Sequence, residues 1–140
     1  MNQSKLRVEN LLPFHLQELA GRGLIIPGGT NICIPGLSFA YSNGSTIGAA
    51  GVMPMWRGVG HIWTLITPAL REHRFFFHKE SKKLLKAVEA SGFFHRLQAV
   101  VMGNHETGHA WALRLGFKFE GIMQAYGANK EDFTLYSKVY

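Results

Sequence analysis

The chain is poor in cysteine. Cys33 is the one thiol in 140 residues, so no disulfide can form within the molecule, as is usual in a reducing compartment. Its apolar setting, TNICIPG, reads as a buried and inert position. Acidic residues are scarce too. Nine Asp and Glu stand against fifteen Lys and Arg, a formal net charge of +6, which favours anionic partners: nucleic acid, phosphate-bearing cofactors or acidic surfaces. Seven His residues add charge at mildly acidic pH. Long apolar runs are missing. None reaches the roughly 20 residues that a membrane helix needs, and the opening MNQSKLRVEN is too polar for a secretory leader. The expectation is a cytoplasmic protein with no membrane partner. Repeats, low-complexity tracts and linkers are absent, so residues 1–140 are expected to form a single domain. With 46% hydrophobic and 17% charged residues the composition excludes a disordered chain.

What the chain does have is a succession of short, well-punctuated elements. Residues 5–8 predict a first strand. Leu12, Leu16 and Leu19 recur at helical spacing, with Pro13 in the first turn where it is tolerated. Residues 21–36, rich in Gly and Pro, predict an irregular segment with at most a short helical turn. Asn43-Gly44 between two apolar runs predicts a type I′ hairpin, and VGHIWTLIT (59–67) a third strand ended by Pro68; these three would form an antiparallel meander. Residues 75–92 predict an amphipathic helix, with Phe77, Leu84, Leu85 and Val88 on one face and Lys79, Lys82, Lys83, Lys86 and Glu89 on another. A strand over 95–102, a helix over 106–116 and a closing hairpin of 117–126 with 132–140 complete the order.

One pentad invites a metal reading. His105-Glu106-Thr107-Gly108-His109 matches H-E-x-x-H, in which two His on one helical face bind zinc beside a general-base Glu. After His109 the chain reads AWALRLGF, without the extension that supplies a third ligand. Glu120 and Glu131, the remaining downstream Glu residues, fall in or near the closing hairpin rather than on another helix. No metal is therefore expected.

The same residues fit a longer pattern. A strand LQAVVM, then Asn104, then a helix ending in Leu115-Gly116-Phe117, then a strand with Glu120-Gly121, resembles the second half of the GNAT (Gcn5-related N-acetyltransferase) fold. The resemblance is good over residues 37–140 and weak before them. In the commonest family spacing the Asn stands one residue nearer the Gly, so either Asn104 or His105 takes that place. It implies an α+β fold with a mixed, mostly antiparallel central sheet of six or seven strands and helices on both faces. It also implies transfer of an acyl group from acetyl-CoA or another acyl-CoA to an amine on a small molecule or a protein. The pantetheine would meet backbone groups of Leu65, Ile66 and Thr67 and the Asn104 side chain. The acceptor would meet residues 21–36 and the closing hairpin.

The family's pyrophosphate loop, V-x-P followed by [QR]-x-x-G-x-[GA], maps onto Ile66-Thr67-Pro68 and then Arg71, Glu72, His73, Arg74, Phe75 and Phe76. The two glycine positions hold Arg74 and Phe76. Glycines let backbone N–H groups at a helix N-terminus approach the phosphates, and a Cβ or phenyl ring crowds that approach. Arg71, His73 and Arg74 would supply charge instead. For acid–base chemistry the resemblance points to a Tyr on the later helix, where this chain has Ala112. Tyr126 is the substitute acid, and His61 is the candidate base because its neutral form is available near pH 7.

A closer likeness is to small acyltransferase-like phage proteins, including the internal virion protein A family of short-tailed phages, which also lack the glycines and share a GN…H…LG run. That likeness implies an alternative: an inactive protein that binds a host or virion protein, placed in the host cytoplasm or the virion. A nucleic-acid reading through Arg71, Arg74, Lys79, Lys82, Lys83 and Lys86 has no reader motif behind it, and those side chains equally suit a solvated helix face.

Overall fold

The computed structural model describes residues 5–26 and 29–140. Residues 27 and 28, within the segment expected to be irregular, lie outside that description. The elements are β1 (Arg7–Asn10), α1 (Pro13–Gly21), a 3-10 turn (Gly29–Ile32), β2 (Ser38–Ser42), β3 (Thr46–Trp56), β4 (Val59–Ile66), α2 (Pro68–Arg71), α3 (Arg74–Ala90), β5 (Arg96–Met102), α4 (Glu106–Arg114), β6 (Lys118–Met123) and β7 (Phe133–Val139). The strands form one seven-stranded sheet in the order β1-β2-β3-β4-β5-β7-β6. This is the mixed, mostly antiparallel α+β sheet that the sequence led us to expect. Contacts divide the chain into two compact units: Met1–Met53 with Trp63–Ala90, and Pro54–Ile62 with Ser91–Tyr140.

In the first unit, β1 runs antiparallel to β2 and β2 to β3, with Val8 opposite Tyr41 and Ala40 opposite Ala49. The core gathers Leu11, Leu16, Leu19, Ile32, Ala40, Ala49 and Leu65, with Trp63 packed against it. Tyr41 is fully buried and ties α3 to the sheet: its hydroxyl shares a 3.1 Å hydrogen bond with Ser81, and its ring meets Phe77 edge-on at 4.8 Å. The start of α1 has no polar cap residue. His15, one turn in, replaces it, accepting the Leu12 N–H at Nδ1 (2.9 Å) and donating from Nε2 to Glu9 (3.0 Å).

The β2–β3 connection differs from the expected two-residue turn. Ser42 pairs with Thr46, so the loop is Asn43–Ser45, with a register shift beside Ser42. The Asn43 side chain accepts the Ser45 N–H at 3.4 Å, a local bond that makes the longer loop self-sufficient. Another addition is the single turn α2. Thr67 caps it, accepting the Leu70 N–H at 3.3 Å, and Pro68 opens it at the position where a missing N–H costs nothing. Gly48 makes room for this turn: a Cβ there would lie 2.3 Å from Leu70 Cδ2 and 2.9 Å from the Leu65 carbonyl.

In the second unit, β4 and β5 are parallel over three pairs, Val59–Arg96, Gly60–Leu97 and His61–Gln98. β7 pairs antiparallel with β5 along its whole length, from Arg96–Val139 to Met102–Phe133. It also pairs with β6, with an irregularity between Phe119 and Gly121. The closing hairpin therefore folds back so that its second strand lies inside the sheet. α4 packs close on β5 because residue 108 is glycine: a Cβ there would lie 2.8 Å from Val101 Cγ1 and 2.3 Å from His105 Nδ1.

Candidate functional site

The candidate groups fall in two places, one in each unit. In the first unit they line the corner from β4 into α3. Thr67 holds this corner. Its N–H donates to the Ile47 carbonyl (3.3 Å), its hydroxyl donates to the same oxygen (2.5 Å), and its carbonyl accepts the Arg71 N–H (3.1 Å). The backbone of Thr67 is therefore fully used by the fold. Strand alternation puts Leu65 on the same side and turns the N–H and C=O of Ile66 toward the other edge. Of the three backbone positions expected to meet pantetheine, Ile66 is the one whose polar groups face away from β3.

Beyond the corner, Arg71, Glu72 and Arg74 are exposed and His73 is half-buried. Phe75 is 78% exposed, with the Arg74 guanidinium 5.1 Å from its ring centre. Phe76 is half-buried and turns its ring edge-on to Tyr41 at 6.3 Å. Both glycine positions of the resemblance thus lie in the first turn of α3 and carry a Cβ. The corner offers guanidinium charge rather than a bare-backbone cradle.

In the second unit, His61 sits on β4 opposite Gln98. Its Nδ1 is buried without a hydrogen-bond partner among the described residues, and burial pushes the imidazole below its ordinary pKa. Gln98 does not serve it. The Gln98 amide accepts from Arg96 Nε (3.2 Å) and donates to Met55 Sδ (3.4 Å). Arg96 in turn grips Glu120 with both terminal nitrogens, at 2.6 and 2.7 Å, and the Ser137 hydroxyl donates to the same carboxylate. These contacts, Arg96 first and Ser137 next, hold the Glu120 carboxyl well below the usual range, at about 2.

Asn104 is exposed in the turn between β5 and α4. The turn is fastened on both sides of Gly103: its N–H donates to the Asp132 carbonyl (2.9 Å), and its carbonyl accepts from His109 Nε2 (3.0 Å). With Nε2 as the donor, His109 Nδ1 accepts the hydroxyl of buried Tyr136 at 2.7 Å. Both His109 nitrogens are occupied. His105 is the residue before α4, with φ −92° and ψ 78°, and its Nε2 lies 3.3 Å from Thr107 Oγ1. The two His of the pentad therefore do not share a helical face. Among the described residues no group of three His, Cys, Asp or Glu could hold a metal ion.

Tyr126 is 54% exposed, its ring edge-on to Phe133 at 5.4 Å. Phe133 pairs with Met102, four residues along β5 from the Gln98 that faces His61. At about 4.8 Å per strand and 3.4 Å per residue, His61 and Tyr126 stand on the order of 15 Å apart. The two do not converge on one point. Sequence reasoning missed the His109–Tyr136 pair and the Arg96–Glu120–Ser137 network. Both depend on β7 entering the sheet beside β5.

No protein-family model matches the chain, and no curated protein matches it by sequence. Solved structures match by shape. A GNAT-family acetyltransferase from Streptococcus pneumoniae aligns over 97% of this chain and 100% of its own, with a TM-score of 0.69 at 16% identity. The SpeG spermidine N-acetyltransferase from Vibrio cholerae aligns over 97% of this chain and 94% of its own, with a TM-score of 0.75 at 13% identity. A microcin self-immunity acetyltransferase, solved with acetyl-CoA and AMP, aligns over 74% of this chain and 60% of its own, with a TM-score of 0.63 at 19% identity. The chain has the fold of the GNAT acetyltransferases.

Proposed function

We propose that this protein is a GNAT-like N-acyltransferase, residues 1–140 acting as one domain, that moves an acetyl or longer acyl group from acyl-CoA to an amine. The observation that carries the reading is the corner from β4 into α3, where the backbone of Thr67 is used up by the fold and that of Ile66 faces away from β3. Ile66 then offers a strand-edge N–H and C=O to the pantetheine amides. Arg71, His73 and Arg74 supply charge to the phosphates, and Glu72, Phe75 and Phe76 shape the loop around them.

In the reaction the amine nitrogen attacks the thioester carbonyl carbon, a C–N bond forms, the C–S bond breaks, and the sulfur leaves with the bonding pair. The nitrogen's proton goes to a base and a proton returns to sulfur, giving amide and thiol. His61 is the proposed base: burial keeps it neutral near pH 7, and its Nδ1 has no other partner among the described residues. Tyr126 is the proposed acid. Its distance from His61 leaves it acting through water, so Tyr126→Phe slows transfer less than His61→Ala. The acceptor is an amine-bearing small molecule or protein, and spermidine, the substrate of a similar fold, is the first to try.

Calorimetry with acetyl-CoA at millimolar concentration tests the reading. A saturable heat and a rise in melting temperature are expected, because any ligand of the native state stabilises it by mass action. The absence of both responses overturns the proposal and favours the second reading, an inactive phage protein that binds a host or virion protein in the host cytoplasm or the particle. The observation behind that second reading is the pair of side chains at 74 and 76.

A further inference from the structure

The outer side of α3 is mainly cationic, with Glu89 a single carboxylate on the same face near its C-terminal end. Phe75, Lys79, Lys82 and Lys86 follow each other at steps of three and four residues, so they share one stripe about 16 Å long. All four are exposed, while Phe77, Ser81, Leu85 and Val88 take the buried side. Lys83 flanks the stripe, paired with Glu80 at 3.3 Å. Exposed Arg74, whose guanidinium lies over the Phe75 ring, and Arg71 in α2 extend the positive charge past the N-terminal end. This cationic row begins at the corner whose glycine positions are filled by Arg74 and Phe76.

We propose that the preferred acyl donor arrives on the phosphopantetheine arm of an acidic carrier protein, which docks an acidic helix along Phe75, Lys79, Lys82 and Lys86. The proposal rests on the acyl-transfer reading above and ranks the carrier-borne arm ahead of free acyl-CoA as its donor. CoA carries a pyrophosphate and a further phosphate on its ribose, and holding these calls for close backbone approach. A carrier-borne arm has one phosphodiester and no nucleotide, a group that Arg71 and Arg74 can pair by charge alone. Affinity lost at the corner is then recovered on the helix, where carboxylates spaced three and four residues apart on a facing helix meet lysines at the same spacing. A single strand of nucleic acid fits less well. It needs several stacking platforms, and this stripe has one aromatic ring, already covered by Arg74. The bond changes are those of the amide-forming step above, with the carrier's thiol in place of CoA, and require no oxidant or reductant.

Calorimetry on the whole protein at low and physiological salt separates the possibilities, using an acetylated acyl carrier protein, acetyl-phosphopantetheine without a carrier, acetyl-CoA and a single-stranded oligonucleotide. The carrier is expected to bind at least about tenfold more tightly than acetyl-phosphopantetheine, and this advantage should shrink as salt rises. The triple variant Lys79→Glu, Lys82→Glu, Lys86→Glu removes that advantage and leaves acetyl-phosphopantetheine binding unchanged, which also shows that the variant is folded. Equal affinity for the acetyl donors, a triple variant that still prefers the carrier, or an oligonucleotide that displaces the carrier overturns the proposal. If acetyl-CoA at millimolar concentration gives neither heat nor stabilisation, the acyl-transfer reading itself fails and takes this one with it.

Discussion

Replacing Phe76 with glycine asks two questions of the corner at once. On the stability side, Phe76 is half-buried and meets Tyr41 edge-on at 6.3 Å. Truncating a fully buried Phe costs about 3–5 kcal/mol, so a half-buried ring gives about 2. The lost ring pair adds about 0.5–1 kcal/mol, and glycine in a helical turn about 0.5–1 kcal/mol more. The total, about 3–4 kcal/mol, is below the 5–15 kcal/mol typical of a domain, so the variant stays folded. On the binding side, glycine lets one more backbone N–H reach a phosphate oxygen. A hydrogen bond to a charged group is worth about 1.5–3 kcal/mol, part of it spent on ordering the glycine, which leaves roughly a tenfold gain for acetyl-CoA. Phe76→Ala keeps the Cβ and should show the stability loss without the gain. Urea denaturation sets the folded fraction and calorimetry reads the affinity. Unchanged or weaker acetyl-CoA binding in Phe76→Gly, or an equal gain in Phe76→Ala, refutes the steric account.

The second unit yields two further predictions. Glu120→Gln should cost about 1 kcal/mol, because the Arg96 grip is bidentate but the carboxylate is 39% exposed and screened. Since the folded carboxyl sits at about 2 against an ordinary 4.5, wild type should lose that contribution as pH falls from about 4.5 toward 2, and the Gln variant should lose less over the same window; parallel melting curves for the two would show that the pair does not act on stability. Tyr136→Phe strips His109 Nδ1 of its donor in a buried setting and should cost about 1–2 kcal/mol in urea denaturation. In a His109→Leu background the same change should cost much less, and additive costs would mean that the 2.7 Å bond carries no coupling.

Much of the fold can be read in the residues because punctuation and periodicity agree locally. The α3 pattern placed Phe77, Leu84, Leu85 and Val88 on one face, and the structure buries Phe77, Leu85 and Val88 and leaves Leu84 half-buried. Thr67-Pro68 carried the signal for α2, a cap residue followed by an N1 proline, yet a strand-ending proline masks a single helical turn. The Asn43-Gly44 pair marked the right place and the wrong loop length, because the choice turned on a side-chain bond to Ser45. What periodicity does not encode is pairing across distance. Arg96 and Glu120 are 24 residues apart, and nothing local says that β7 will bring them within reach. The candidate site divides in the same way. Arg74 and Phe76 stand out as departures from a local motif, whereas the buried, partnerless nitrogen of His61 is visible only once its neighbours are in place.

The position of β7 has a consequence for how the molecule is made. β5 and β6 precede it in the chain, and both pair with it. During folding β5 meets β4 over only three residue pairs, and β6 has no partner strand until β7 arrives. Two strand edges therefore stand open until β7 inserts between them. The exposed Phe119 and Ile122 on β6 make a chain whose β7 is not yet docked the form in which copies would pair with each other. Lys118 and Glu120, flanking Phe119 on the same strand, set charge beside that edge while it waits.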